Sequence, residues 1–250
     1  MKMNSNFRFS KSHNTEFELP FSEHIEELRQ RCLFFLLIAL FFISFSFFEI
    51  KSIVKILEPP IDNLKFFQLS PGEYLFSTIK ISFYTGFLFT IPFGIGQFIF
   101  FLLPGLTKKE TNLLLPLLTS SIILFSSGLL FSYYILIPAA LNFFLSYSEE
   151  VIEPLWSFDQ YFEFILVLFY STGFAFQIPI IQIIIGLLNI LSVTQMAKAW
   201  RVIVVLATVI GAILTPSTDP ITQLLLSLAI IMLYFMGLII LRLMKNYTIT

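Results

Sequence analysis

Long apolar runs separated by short polar segments dominate the chain after residue 31. A helix needs about 20 apolar residues to cross a hydrocarbon core of about 30 Å. Within lipid, only helices and closed barrels satisfy their own backbone polar groups, and these runs lack the alternation of barrel strands. The pattern predicts an all-α integral membrane protein, a bundle of six transmembrane helices. The runs lie at 32–48, 77–103, 113–136, 159–188, 202–214 and 221–241.

The lengths of the later runs differ from this standard. The fifth has only about thirteen apolar residues, near 20 Å at a rise of 1.5 Å per residue, and we expect the fifth and sixth helices to be short. The fourth is long, and Gly173, Pro179 and Gly186 within it predict a kink or a break. Ordinary tilt and packing explain these lengths as well as a locally thinned bilayer does.

Basic residues in short loops predict the orientation, because they concentrate on the cytoplasm-equivalent side. Five precede the first run, whereas none occurs in 137–158 or 215–220 and three lie in the first loop. We therefore expect an N-in/C-in topology, with a polar tail at 1–19, one membrane domain at 20–245 and a short tail at 246–250. The other basic positions on this side are Lys108, Lys109, Lys198, Arg201, Arg242 and Lys245.

Composition agrees with the membrane class and excludes several functions. Hydrophobic residues make up 57% and charged residues 12%, about half the charge of a soluble domain. A net charge of -1 without a basic tract argues against nucleic acid as a partner. The only histidines are His13 and His24, and Cys32 is the only cysteine, so haem and zinc sites are not expected. No phosphate-binding glycine motif occurs. We expect neither an enzyme nor a cofactor.

Charge clusters in the segment 21–31, directly before the first run. Its apolar residues recur at helical spacing and predict an amphipathic helix lying at the membrane interface. Glu27 and Arg31 form a favourable i,i+4 pair on the polar face. That face is either a solvated surface with self-paired charges or a site where a carboxylate accepts a partner's guanidinium in a bidentate contact that lysine cannot imitate. The apolar residues are Phe21, Ile25, Leu28 and Cys32.

A second acidic residue on the same side lies between the second and third runs. Pro104 ends a helix there, and Thr107 stands three residues before Glu110, which is the spacing of a capping box. Glu110 is therefore either part of a cap or a second carboxylate for a second arginine. Phe101 lies next to this loop, where an aromatic side chain packs an apolar segment or anchors the interface.

Seven stretches of the chain resemble one family in order and position. With these motifs the chain is similar to the TatC family, the multispanning receptor subunit of the twin-arginine protein translocase, and within it to the cyanobacterial and plastid branch. The resemblance covers 20–245. The stretches are 24–31 (HIEELRQR), 70–74 (SPGEY), 103–110 (LPGLTKKE), 137–141 (IPAAL), 154–163 (PLWSFDQYFE), 175–179 (AFQIP) and 214–223 (LTPSTDPITQ).

The resemblance implies a receptor and assembly platform that performs no bond-breaking chemistry. Folded proteins carrying an N-terminal signal with paired arginines are its cargo, and the proton-motive force drives transport. Its partners are single-span subunits of the TatA and TatB type, further copies of the receptor and membrane lipid. The match assigns signal-peptide binding to Glu27, Arg29, Phe101, Lys108 and Glu110, partner contact or intramembrane polarity to Gln177, Ile213 and Leu214, and structural roles to Pro59, Pro104, Pro179 and Pro216.

Gln177 departs from the family pattern, because many members have a glutamate at this position. A proton-linked role does not transfer to glutamine, which instead hydrogen-bonds to a partner's helix or holds the bundle together. Lys80, Asp159 and Glu163 are further polar positions at or near the ends of predicted spans. Intramembrane charges are candidates for function, but snorkelling to the interface is the simpler explanation here.

Six spans and interrupted helices also fit a small-solute or ion secondary transporter. Many transporters contain inverted repeats, and we find none between 32–136 and 159–241. The receptor is therefore the preferred interpretation. The motifs of the cyanobacterial and plastid branch and the composition rich in Phe and Ile predict a plastid thylakoid membrane with the termini in the stroma. A cyanobacterial or mitochondrial membrane is the alternative.

Overall fold

The computed structural model describes residues 21–58, 66–68, 70–101, 114–148, 156–188, 190–215 and 219–249. A π-helical turn, Ser132–Leu136, joins the helix that ends at Phe131 to the helix that begins at Ile137. The short strands β1 (Phe66–Phe67) and β2 (Trp156–Ser157) pair in parallel. The helices are α1 (Phe21–Phe48), α2 (Ile50–Leu57), α3 (Glu73–Phe101), α4 (Leu114–Phe131), α5 (Ile137–Ser148), α6 (Phe158–Ala175), α7 (Ile178–Leu187), α8 (Val193–Lys198), α9 (Trp200–Leu214) and α10 (Pro220–Ile249).

Long apolar helices confirm the predicted class of helical membrane protein. In the described residues, five stretches are long and apolar enough to cross a bilayer, and α9 is a shorter apolar helix of 15 residues. The bundle therefore contains five to six membrane-capable helices. The five stretches are Ile25–Phe48, Glu73–Phe101, Leu115–Tyr147, Phe158–Leu187 and Pro220–Met244.

The fifth of the predicted membrane helices is short as expected, since α9 has 15 residues. The prediction that the sixth membrane helix is short is wrong, because that helix, α10, has 30 residues. Its apolar run ends near Leu241, yet the following residues include Arg242, Leu243, Met244 and Lys245, which all favour helix. No glycine or proline follows within the helix to end it, so the helix outlasts the apolar run.

The N-terminal amphipathic segment is not a separate helix at the interface. It forms the first turns of α1, which continues without a break from Phe21 to Phe48. The sequence 21–48 contains no proline or glycine, so nothing in it turns the chain between an interfacial and a spanning segment. The charged face thus belongs to the first membrane helix itself.

Proline positions explain the other irregularities of the bundle. The fourth run breaks at Phe176–Gln177, and Pro179 lies in the first turn of α7, where its missing N–H leaves no bond unmade. The third apolar run, predicted to end at residue 136, continues as helix through α5 to Ser148. Pro138 lies at the start of α5, directly after the π-helical turn, which absorbs the hydrogen-bond register that proline interrupts.

Helices α1 and α3 pack closely along their length. A Cβ added to Gly86 of α3 would lie 2.6 Å from the backbone nitrogen of Ile43 and 2.8 Å from the carbonyl carbon of Phe42. Such distances are too short for real atoms, so the approach of α1 to α3 requires glycine here. This packing places α1 as one wall of the groove described below.

Candidate functional site

Arg31 occupies the end of the bundle where α1 begins and α3 ends, which we call the Arg31 end. Its Nε and Nη2 atoms donate to Oε1 of Glu27 at 3.0 and 2.5 Å. Its Nη1 atom donates to Oε1 of Gln97 on α3 at 3.3 Å, and its guanidinium carbon lies 5.9 Å from the ring centre of Phe100. One guanidinium therefore joins a carboxylate, an amide and an aromatic ring from two helices.

A second ion pair on α1 is more exposed. Arg29 pairs with Glu26 at 2.5 Å, and their side chains are 68% and 46% exposed. The side chains of Arg31 and Glu27 are only 26% and 27% exposed. Because water screens exposed pairs more strongly, the Glu27–Arg31 pair is the less screened of the two. The intrahelical pair Glu27–Arg31 predicted from the sequence is confirmed.

An apolar groove opens beside Arg31. Its volume is about 480 Å³, within the range of ligand-binding clefts. Helices α1, α3, α6 and α7 line it, with Arg31, Gln97 and Gln177 among its few polar groups. Phe98, which is 57% exposed, also lines the groove. The groove thus combines the guanidinium that binds Glu27 with aromatic and aliphatic side chains.

Gln177 holds two parts of the bundle together. Ser121 of α4 donates its hydroxyl to Oε1 of Gln177 at 2.8 Å, and Nε2 of Gln177 donates to the carbonyl of Ser121 at 3.1 Å. Gln177 is 3% exposed. Both ends of its amide are therefore used between α4 and the turn that separates α6 from α7. Of the two roles left open by the sequence, these contacts favour packing within the bundle.

The other predicted site residues lie in different places. Glu27 and Arg29 are on α1, and Phe101 is the last residue of α3, where it also lines the groove. Ile213 of α9 is 74% exposed, whereas the carbonyl of Leu214 accepts a hydrogen bond from Ser171 at 2.6 Å. The predicted residues outside the described part of the chain are Lys108, Glu110, Pro59, Pro104 and Pro216.

The structure also shows contacts that sequence spacing did not predict. At the opposite end, where α1 ends and α3 and α6 begin, Lys80 pairs with Asp159 at 3.2 Å and with Glu163 at 2.7 Å. We call this the Asp159 end. Ser77 donates to Asp159 at 2.9 Å. These residues were interpreted as snorkelling side chains, because their partners lie about eighty residues away in the sequence and no local pattern reveals them.

Comparison with known proteins decides the family. A family model described as Sec-independent protein translocase protein (TatC) matches residues 23–229. The chain belongs to the TatC family. An uncharacterised TatC-like protein of Trieres chinensis is 69% identical over 98% of this chain and 94% of its own length. The Sec-independent protein translocase protein TatC of Synechocystis sp. is 50% identical over 91% of this chain and 89% of its own length.

A solved structure agrees with this assignment. A crystal structure of the twin-arginine translocase receptor TatC superposes with a TM-score of 0.77 at 34% identity, covering 87% of this chain and 98% of that one. The TatC fold and the non-enzymatic role in protein translocation, both predicted from the motifs, are confirmed. The chain is a multi-pass membrane component of Sec-independent protein translocation.

Proposed function

We propose that this TatC-family chain is the receptor that binds the twin-arginine signal peptides of folded cargo proteins. The observation that carries the proposal is the guanidinium of Arg31, which binds the Glu27 carboxylate and lines an apolar groove. This carboxylate already has the position and exposure to hold an arginine. The crystal structure that superposes on this chain belongs to a protein described as a twin-arginine translocase receptor.

The groove supplies the second half of the recognition. One arginine of the signal binds Glu27, and the second binds Glu110. The apolar segment that follows the arginines then enters the groove past Phe101 and Phe98, since burying apolar surface contributes about 25 cal/mol per Å². In this proposal Arg29 and Lys108, which the family resemblance also assigns to signal-peptide binding, help to bind the peptide. Arginine is preferred over lysine because its planar fork forms two parallel hydrogen bonds to a carboxylate.

Partner subunits complete the transport machinery in this proposal. The exposed side of α9, which includes Val205, Val209 and Ile213, is an apolar face suited to a single-span helix of the TatA or TatB type. Leu214 supports this face from within, through its hydrogen bond to Ser171. The receptor assembles with further copies of itself in lipid, and the proton-motive force drives transport. The structural roles of Pro59, Pro104 and Pro216 remain part of this proposal.

The same proposal assigns orientation and location. Both termini lie on the side where the signal binds, in agreement with the basic residues counted there. The membrane is a plastid thylakoid, with the termini in the stroma, which is supported by the motifs of the cyanobacterial and plastid branch and by the similarity to TatC of Synechocystis sp..

The experiment that tests the receptor role compares Glu27→Gln and Glu110→Gln with the unmodified chain. Binding of a synthetic twin-arginine signal peptide is measured beside that of a twin-lysine control peptide. Each substitution removes a charged acceptor while keeping its shape, so affinity for the twin-arginine peptide should fall about tenfold. The twin-lysine peptide should lose less.

Glu49→Gln is the matched control for Glu27→Gln. Glu49 is exposed directly after the far end of α1, so its substitution changes the net charge equally without touching the contacts of Glu27 or Arg29. Affinity should change less than about twofold. Unchanged binding in both the Glu27 and Glu110 variants, or an equal loss in all three, would remove the proposed site.

A further inference from the structure

The three contacts of Arg31 raise a question about how a signal peptide reaches Glu27. Two nitrogens of the same guanidinium converge on Oε1 of Glu27, at 3.0 and 2.5 Å. A guest guanidinium docking in the same plane would meet Arg31 at close range, and like charges at such distances repel. A guest that binds both oxygens of the Glu27 carboxylate therefore has to displace Arg31 from Oε1.

Arg31 also lines the groove. It does so together with Leu28 and Cys32 of α1 and Gln97 of α3. The hydrogen bond to Gln97 bridges α1 and α3 beside the groove. Moving the guanidinium away from Glu27 would therefore also break this bridge and vacate the part of the groove that Arg31 lines.

We infer that Arg31 is an internal stand-in for the arginine of the signal peptide, and that guanidinium exchange on Glu27 opens the groove. This inference rests on the proposed receptor function and adds a competing residue to it. In the empty receptor, Arg31 satisfies Glu27, Gln97 and Phe100. In the complex, the arginine of the signal peptide binds the Glu27 carboxylate. Rotation about the side-chain bonds of Arg31 then moves its guanidinium away from Glu27.

The competing explanation is that Arg31 positions Glu27 for its ligand. The two roles predict opposite effects of weakening Arg31. A competitor lowers the affinity for every cation that must displace it, so its removal strengthens binding of both peptides by a similar factor. A positioning residue raises the affinity for the correct ligand, so its removal weakens twin-arginine binding and reduces the preference over twin-lysine.

Arg31→Lys and Arg31→Gln separate these roles. Lysine keeps the charge but makes a single-point contact with a carboxylate, so it is the weaker competitor. Glutamine removes the charge altogether. From the strength of a partly exposed ion pair and a cation–π contact, we expect twin-arginine binding to tighten about threefold in Arg31→Lys and about tenfold in Arg31→Gln.

The measurement is a titration of full-length protein in lipid nanodiscs with fluorescent twin-arginine and twin-lysine peptides. Lys198→Gln is the charge-matched control: Lys198 lies exposed on α8 and is not among the contacts of Glu27 described above. Its affinity should change less than about twofold. The ratio of the two peptide affinities should stay near its original value in both Arg31 variants.

Weaker or unchanged twin-arginine binding in the Arg31 variants would overturn the inference. Because Arg31→Lys keeps the charge and the aliphatic stem, it decides the question even where Arg31→Gln fails to fold. Failure of the receptor function gives a different result, since the unmodified protein would then show no preference for the twin-arginine peptide. The two failures are therefore distinguishable in one experiment.

Discussion

The Asp159 end and the Arg31 end of the bundle hold their charged residues in different ways. At the Asp159 end, Lys80 of α3 bridges two carboxylates of α6, and Glu73 accepts a hydrogen bond from Ser157 at 2.9 Å. At the Arg31 end, both described ion pairs of α1 lie within one helix. Ion pairs thus connect helices at the first end and leave the second end open beside a groove.

Aromatic packing strengthens the same contrast. At the Asp159 end, Phe158 and Phe162 have ring centres 4.6 Å apart, and Phe66 of β1 lies 5.0 Å from Tyr161. The hydroxyl of Tyr161 donates to the carbonyl of Leu57 at 3.1 Å. These rings are mostly buried, whereas Phe98 at the Arg31 end is exposed to the groove. These buried contacts join separate elements, so we call the Asp159 end the fixed frame and expect exchangeable contacts at the Arg31 end.

This difference explains how a membrane receptor can be both stable and adaptable. Contacts between distant helices hold the frame, because each ion pair there joins side chains of two different helices. A pair within one helix can be exchanged without moving either helix. Ligand exchange is thus expected where charges pair locally, at the Arg31 end.

The largest effect is expected from forcing α1 away from α3, since both helices line the groove. Gly86→Ala places a Cβ against the backbone of α1 near Ile43, and backbone cannot move aside as a flexible side chain can. Overpacking of this kind should lower the free energy of unfolding by about 3 kcal/mol, and displacement of α1 should abolish signal-peptide binding. Thermal unfolding in detergent and peptide titration measure the two effects.

Gly96→Ala on the same helix is the control. Its Cβ would lie 3.4 Å from a terminal methyl of Leu118, which is ordinary contact. Because alanine favours helix over glycine by up to about 1 kcal/mol, this variant should be at least as stable as the original. Equal loss of stability in both variants would show that the close approach of α1 and α3 is not the reason.

A smaller effect is expected from opening the fixed frame. Lys80→Ala leaves Asp159 and Glu163 without their shared cation and should lower the free energy of unfolding by about 1 kcal/mol, because water screens these partly exposed groups. Signal-peptide binding should change less than about twofold in the protein that remains folded. Urea or thermal unfolding followed by peptide titration checks this.

Lys55→Ala provides the comparison at the same end, because Lys55 is exposed on α2. Its effect on stability should stay within about 0.5 kcal/mol. If Lys80→Ala weakened peptide binding by more than about twofold in the folded protein, the division into a fixed frame and an exchangeable end would be wrong.

Local sequence patterns predicted much of the fold. Apolar runs gave the membrane helices, and Pro179 marked the break between α6 and α7. The end of α10 was missed, because helix-favouring polar residues continue the helix beyond its apolar run. The continuation through Pro138 was missed as well, since a π-helical turn before a proline leaves no simple periodic signal.

The site divides in the same manner. Spacing predicted the pair Glu27–Arg31, whose members lie one helical turn apart. Spacing could not predict the contact of Arg31 with Gln97, or that of Gln177 with Ser121, because helix packing brings together residues far apart in the chain. The convergence of Glu27 and Glu110 on two arginines of a signal peptide stays a prediction.

Photocrosslinking from the two ends tests the central claim most directly. Benzoyl-phenylalanine replaces Phe98, which lines the groove at the Arg31 end, or Tyr74 at the Asp159 end; these side chains are 57% and 46% exposed. A twin-arginine signal peptide should crosslink strongly from position 98 and weakly from position 74, and Glu27→Gln should reduce the first product. Crosslinking that is equal from both positions, or stronger from position 74, would contradict a receptor site at the Arg31 end.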